Sequence, residues 1–152
     1  MQTFFAPYMV TIADINYGKH LGNDRPLVIF QDARIRFFNS LGLSEGDIGN
    51  GRSIVVVESG CRYVRQVFLH EELQVAVTIS ELQGKRCRLE YSVKRLGDDQ
   101  TVLTGFTVLL AYDPLAGKAT TLPEQFVAAC HPYLHEDRSQ STKEATRPDL
   151  GT

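Results

Sequence analysis

Apolar residues recur at helical spacing in one stretch of this chain and alternate, or run continuously, in several others. Residues 3–13, TFFAPYMVTIA, are rich in aromatic and branched side chains and predict a first strand, with Pro7 restricting it to an edge or a bulge. The polar segment 14–24, broken by Gly18 and Gly22, reads as a loop. A helix is then predicted from Arg25 to Leu41, stopping at Gly42, with Asn23 or Asp24 as its cap and Pro26 tolerated in its first turn. Leu27, Phe30, Ala33, Phe37 and Leu41 define one apolar face, widened by Phe38. Val28, Ile29 and Ile35 add apolar surface elsewhere, which predicts a mostly buried helix. Arg34 falls in the middle of that face. Its guanidinium needs Asp14, Glu58 or a set of backbone carbonyls as partner, unless the stem packs and the head reaches water.

Beyond the glycine-rich loop 42–52 the period changes to two. Residues 54–67, 73–83, 85–95 and 101–113 are strand candidates joined by short polar turns, which predicts an antiparallel meander of long, curling strands. After Phe126 the chain thins out. Residues 136–152 carry Leu150 as their one large apolar side chain and are expected to be disordered. The order strand, loop, helix, strands predicts an α+β domain over residues 1–126, with a C-terminal tail over 127–152. One helix does not cover both faces of such a sheet, so the sheet should wrap around it and pair with another subunit.

Length and charge narrow the function. At 152 residues the chain is one domain with room for a core, and 16 Lys+Arg against 18 Asp+Glu leave a net charge of -2. Nucleic acid is not an expected partner, since phosphate binding needs clustered cations. Cys61, Cys87 and Cys130 lie far apart with no metal-ligand spacing, so no metal site is expected. Absence of a basic amino-terminal region and of any long apolar run points to a soluble, cytoplasmic protein without a membrane span.

The loop and helix carry a recognisable order of residues. Asp14-Ile15-Asn16, Gly18-Lys19-His20-Leu21-Gly22-Asn23 and Gln31-Asp32-Ala33-Arg34 resemble the Asp-x-Asp, Gly-His-Val-Asn-Asn and Glu-Glu-Ala-Arg motifs of hotdog-fold acyl-CoA thioesterases of the 4-hydroxybenzoyl-CoA thioesterase branch. Tyr63-Val64-Arg65-Gln66 with His70-Glu71-Glu72-Leu73 resembles the family's Tyr-x-x-Pro and Gly-Asp-x-Leu, and residues 113–123 resemble its strand end and exit. The resemblance spans about residues 8–126. It implies a hotdog fold, a curved antiparallel five- or six-stranded sheet wrapped around one long helix. It further implies hydrolysis of a medium- or long-chain, or aromatic, acyl-CoA or acyl-carrier thioester. Coenzyme A then enters as part of the substrate, with no separate cofactor. Assembly is expected as a homodimer, possibly a homotetramer, sharing sites across the interface.

One departure changes the chemistry. Where the family carries its usual catalytic carboxylate this chain has Asn16, and an amide is neither a general base nor a carboxylate nucleophile. It can orient water or donate to a thioester carbonyl. The base is then sought among Asp14, His20 and Asp32, although Asp32 reads more readily as a solvated partner of Arg36. Asn23 and Asp24 at the helix start, Phe30 (with Phe37 and Phe38) as acyl-tunnel lining, and Tyr63 and Arg65 are the candidate substrate contacts. Arg62, Lys85, Arg86 and Arg88 are further candidates for the coenzyme A phosphates. Asp14, Asn16 and His20 also loosely resemble the Asp-x-Asn-Pro-x-His signature of hotdog enoyl-CoA hydratases, which keeps a hydratase reading open. A non-catalytic thioester-binding protein is the third alternative.

Overall fold

The computed structural model describes residues 1–136. The expected disorder of the distal tail lies outside the described residues. Six strands form one antiparallel sheet: β1 (Phe4–Met9), β2 (Ser53–Tyr63), β3 (Glu72–Gln83), β4 (Arg86–Arg95), β5 (Gln100–Asp113) and the two-residue β6 (Lys118–Ala119). The strand order is β1-β3-β4-β5-β2, with β6 paired to β5. The expected meander therefore holds for β3, β4 and β5 and fails for β2. Strand β2 pairs along β5, from Ser53 opposite Tyr112 to Tyr63 opposite Leu103. The chain then leaves the sheet at Val64 and crosses to β3, so residues 64–67, expected as strand, are a connection and not a hairpin turn. Pro7 sits in β1, an edge strand, as its missing N–H requires.

Alternation builds the core. Leu73, Val75, Val77 and Ile79 of β3 and Cys87, Leu89, Tyr91 and Val93 of β4 are all buried on one face, where period two places them together. Register shifts in the β2–β5, β3–β4 and β4–β5 pairs mark bulges, which increase local twist. Helix α1 (Pro26–Ser40) packs on that inner face. It starts with Pro26, whose absent N–H costs nothing in the first turn. Arg25 holds the cap position and no side-chain oxygen caps the helix, so neither Asn23 nor Asp24 performs the expected capping. The C-terminus closes as a Schellman motif: Gly42 at φ +72 donates to the Asn39 carbonyl, and Leu43 donates to that of Phe38.

The buried face of α1 comprises Pro26, Ile29, Phe30, Ala33, Arg34, Phe37 and Phe38. Leu27, expected in the core, is exposed. It shares its side of the helix with Arg34 and Phe38 but stands in the first turn, ahead of their cover. With Val28 and Ile35 also exposed, the helix is amphipathic and not mostly buried. Phe30 stacks on Tyr91 at 4.5 Å and 3° between rings. Gly105 of β5 makes room for it: a Cβ there would stand 2.4 Å from the Phe30 ring.

Arg34 finds its partner in the 42–52 loop, at a residue other than those expected. Its Nε donates to Glu45 in the 42–52 loop at 2.6 Å, and Nη1 lies 3.4 Å from the Tyr91 hydroxyl and 3.3 Å from Thr107 Oγ1. Asp14 and Glu58 take no part. Helix, loop and two strands are thereby joined at one buried cation.

The chain continues past the expected boundary at Phe126. That residue lies inside a second helix, α2 (Glu124–Cys130), whose Phe126 and Cys130 are fully buried. Tyr133 packs edge-on against Phe37 at 4.9 Å, and His135 donates its backbone N–H to the Ile79 carbonyl. The folded domain thus runs past residue 126, because Phe126 and Tyr133 pack against Phe38 and Phe37 of α1.

Removing Glu45 strands a buried guanidinium, whereas Glu58 lies on an exposed edge strand. Glu45→Ala is expected to lower unfolding free energy by about 2–3 kcal/mol and Glu58→Ala by under about 0.5 kcal/mol, read from urea denaturation.

Candidate functional site

The loop between β1 and α1 is anchored at its first residue. The Asp14 side chain has 0% exposure and accepts the Tyr8 hydroxyl at 2.9 Å, the Thr11 N–H at 2.8 Å and Thr11 Oγ1 at 3.1 Å. Arg25 closes the set with Nε and Nη2, each 3.0 Å from Asp14 Oδ1. Burial pushes the Asp14 carboxyl up. The Thr11 N–H, the Tyr8 hydroxyl and Arg25 outweigh it and hold the carboxyl below its ordinary value of 3.8. Tyr8 answers in the opposite sense, pushed up to about 12 by burial and then by Asp14. Asp14 is therefore a saturated structural anion with no free lone pair aimed at a substrate.

From that anchor the loop folds back on itself. Gly22 donates to the Asp14 carbonyl at 2.8 Å, Ile15 and Leu21 bridge, and Asn16 donates to the His20 carbonyl at 2.9 Å. Tyr17, Gly18 and Lys19 form the exposed tip, with Lys19 at φ 68. Leu21 donates to the Val67 carbonyl at 2.7 Å, and His20 bridges Phe68. The Tyr63 hydroxyl donates to the Asn23 carbonyl. The loop is thus sewn to the chain leaving β2.

Between these two segments lies a pocket of about 280 Å³. Asn16, His20 and Asn23 line it from the loop, and Tyr63, Arg65 and Gln66 from the other side. Leu21, Val64, Val67 and Leu103 supply the apolar wall. Asn16 Oδ1 accepts the Gly18 N–H at 2.9 Å, which fixes the amide and leaves its NH₂ group free to donate. The His20 ring lies over Gly18, where a Cβ would stand 3.0 Å from Nε2 and 3.4 Å from Asn16 Oδ1. His20 Nδ1 faces the Leu21 carbonyl at 3.4 Å, which favours the tautomer with hydrogen on Nδ1. The Arg65 guanidinium donates to the Thr101 carbonyl at 2.9 Å.

Asn16, His20, Asn23, Tyr63 and Arg65 are therefore brought together, as five candidates drawn from two distant stretches of chain. Others are placed elsewhere. Asp32 pairs with Arg36 at 3.0 Å on the outer side of α1. Phe30 is sealed in the core with Phe37 and Phe38 and does not border the pocket. Asp24 is exposed beside Asn23. Arg86 pairs with Glu81, and Arg88 pairs with Glu90 while lying 4.0 Å over the Phe106 ring, so both are committed on the sheet. Nothing in the sequence marks the wall residues Val67 and Leu103, which look like any apolar strand position. Only the exit of the chain from β2 turns them toward the loop.

Comparison with known proteins agrees with this arrangement. A family model described as the thioesterase-like superfamily matches residues 10–130, and the chain belongs to that family. A Bacillus subtilis protein, YsmA, is 27% identical over 124 residues, covering 81% of this chain and 82% of its own. Among solved structures, a 1,4-dihydroxy-2-naphthoyl-CoA thioesterase from Synechocystis superposes with a TM-score of 0.78 at 19% identity, covering 86% of this chain and 96% of that one. A Staphylococcus aureus protein solved in complex with CoA superposes at 0.80 and 22% identity, covering 99% and 93%. The open antiparallel sheet with its packed helix is the hotdog fold, as in the Synechocystis thioesterase.

Two outcomes test the loop. Because the folded Asp14 carboxyl titrates below 3.8, its contribution to stability is complete above that value and is lost as pH falls through the folded pKa. Asp14→Asn should lower stability by about 1–3 kcal/mol at pH 7 and flatten the loss of stability below about pH 4, read by denaturation across pH. Gly18→Ala should displace the His20 ring, visible as a changed imidazole NMR shift with little change in melting temperature.

Proposed function

We propose that this chain hydrolyses acyl-CoA thioesters to the free acid and CoA, with the thioester carbonyl held at Asn16. The observation that carries the reading is the convergence of Asn16 and His20 with Tyr63 and Arg65 on one pocket. A thioester carbonyl gains negative charge as it is attacked, and a pre-oriented donor there stabilises the transition state more than the ground state. Asn16 is such a donor, since Gly18 occupies its carbonyl oxygen. Arg65 places a cation at the mouth, where it suits the phosphates of coenzyme A. The CoA bound to the Staphylococcus aureus neighbour supports this substrate class over an acyl-carrier protein.

The pocket also limits the acyl group. Its volume falls at the small end of ligand sites, and Leu21, Val67 and Leu103 behind it are buried and closely packed. Phe30, Phe37 and Phe38 fill the space between helix and sheet that a long acyl chain would need. A compact acyl group fits better than the medium- or long-chain one. The hydratase-like reading requires Asp14 to act on water, and its saturated hydrogen bonding speaks against that role.

Assembly belongs to the same proposal. Strand β2 is an edge, and its Val55, Val56 and Val57 are exposed. An exposed apolar edge favours pairing with a second copy, which gives a homodimer and leaves a further pairing to a tetramer open. Among the described residues no helix is long and apolar enough to cross a membrane. Cytoplasmic residence goes with the proposed use of CoA.

Thiol release from acetyl-, hexanoyl-, benzoyl- and palmitoyl-CoA provides the test. Turnover is expected with kcat/KM highest for the compact acyl groups, and Asn16→Ala should reduce kcat by about 100-fold. No release from any member of the panel sinks the hydrolase reading, leaving a thioester-binding protein. A preference for palmitoyl-CoA sinks the size limit alone.

A further inference from the structure

The proposed hydrolysis needs a group to take a proton from water, and Asn16 does not supply one. The carboxylates near the loop are engaged elsewhere or stand outside the cavity. Asp14 is sealed and saturated, Asp32 is paired with Arg36 on the outer side of the helix, and Asp24 is not among the lining residues. Of the polar side chains that do line it, Asn23 and Gln66 are amides like Asn16, and Arg65 is a permanent cation. Tyr63 donates its hydroxyl to the Asn23 carbonyl, and its phenol is pushed up to about 12, first by a hydrogen bond with the Cys61 thiol and then by burial. It stays protonated at neutral pH. His20 is left, and imidazole is the side chain suited to exchanging protons near neutrality.

The geometry of the loop favours the same residue. His20 holds the loop through its backbone, whose carbonyl accepts the Asn16 N–H and which bridges Phe68, so the side chain is not needed for that task. The ring is half-buried, and its Nε2–Cδ2 edge faces Gly18. From the point where a Gly18 Cβ would stand, Nε2 is 3.0 Å away and Asn16 Oδ1 is 3.4 Å away. Imidazole and amide thus flank one point, close enough for a carbonyl held at the amide and a water held at the ring. Nδ1 faces the Leu21 carbonyl at 3.4 Å, and among the described residues no hydrogen bond engages Nε2. Its lone pair is free. Gly18 permits the arrangement, since a methyl group there would crowd the ring edge.

We infer that His20 is the general base of the hydrolysis, an imidazole doing from the loop what a carboxylate at position 16 would otherwise do. This rests on the thioester-hydrolase reading above. His20 Nε2 accepts a proton from a water molecule as the water oxygen bonds to the acyl carbon. The carbonyl π pair moves onto its oxygen, which takes a hydrogen bond from the Asn16 NH₂. The imidazolium so formed keeps its Nδ1–H toward the Leu21 carbonyl. Collapse re-forms the carbonyl and breaks the carbon–sulfur bond. The departing CoA thiolate recovers the proton from Nε2, so water and thioester become acid and thiol with no other reactant.

The test compares His20→Gln and His20→Ala with the unaltered protein on acetyl-CoA and benzoyl-CoA. His20→Gln should lower kcat by about 100-fold or more while KM moves by less than about threefold. Imidazole added to the buffer should restore part of the turnover of His20→Ala, after subtraction of its rate without protein, and should leave the unaltered protein unchanged. A ring that only props Asn16 in place gives no such rescue. The melting temperature of His20→Gln should stay put, since the backbone of residue 20 makes the bonds that hold the loop. His20→Gln turning over within about twofold of the unaltered protein overturns the assignment. So does a loss confined to KM, or one that imidazole leaves unrepaired. Those results leave thioester hydrolysis standing. Silence of the unaltered protein on every acyl-CoA overturns the hydrolase reading and this base with it.

Discussion

Everything that functions in this molecule hangs on one buried anion. Asp14 has no solvent exposure, and a carboxylate in that position is tolerated only if its lone pairs are filled. Tyr8, Thr11 and Arg25 fill them. Those donors come from the first strand, the turn after it and the start of the helix, so satisfying one charge fixes three segments against each other. The loop from Ile15 to Asp24 then has both ends clamped. Its remaining freedom is removed by the bonds from Gly22 to Asp14 and from Leu21 to Val67. A loop carrying reactive groups is useful only when held in this way, because an ångström of drift in a donor forfeits much of its effect.

A second buried charge does the same for the scaffold. Arg34 ties α1 to Glu45 in the glycine-rich loop and to Tyr91 and Thr107 of the sheet. Tyr91 also stacks on Phe30, whose ring occupies the space left by Gly105. Polar network and aromatic stack therefore share a residue, and the inner face is filled solidly beneath the helix. That filling leaves no such space beneath the helix, and the pocket lies at the rim, between the loop and the exit of β2. The pocket is small because the core behind it is complete.

The division of roles among the acidic residues follows from these packing demands. Asp14 is consumed by structure, Asp32 by a surface pair with Arg36, and Glu45 by Arg34. The amide at Asn16 is oriented by the backbone of Gly18, which leaves its NH₂ group free to donate. Residue type gives each of these groups its chemical potential, and the neighbours decide which potential is exercised.

Much of this was legible in residue order. The period-two runs located β3, β4 and β5, Gly42 marked the end of the helix, and Pro7 restricted β1 to an edge or a bulge. The motifs from Asp14 to Arg34 point to the thioesterase-like family, and they place Asn16 and His20 on one loop. These features are local: spacing, ring closure and side-chain branching act within a few residues. The pairing of β2 with β5, the reach of Glu45 to Arg34, the sealing of Asp14 and the arrival of Tyr63 and Arg65 opposite Asn16 were decided only by the tertiary structure. Each depends on contacts between residues far apart in the chain, whose energies reflect burial and partner geometry that no local pattern encodes.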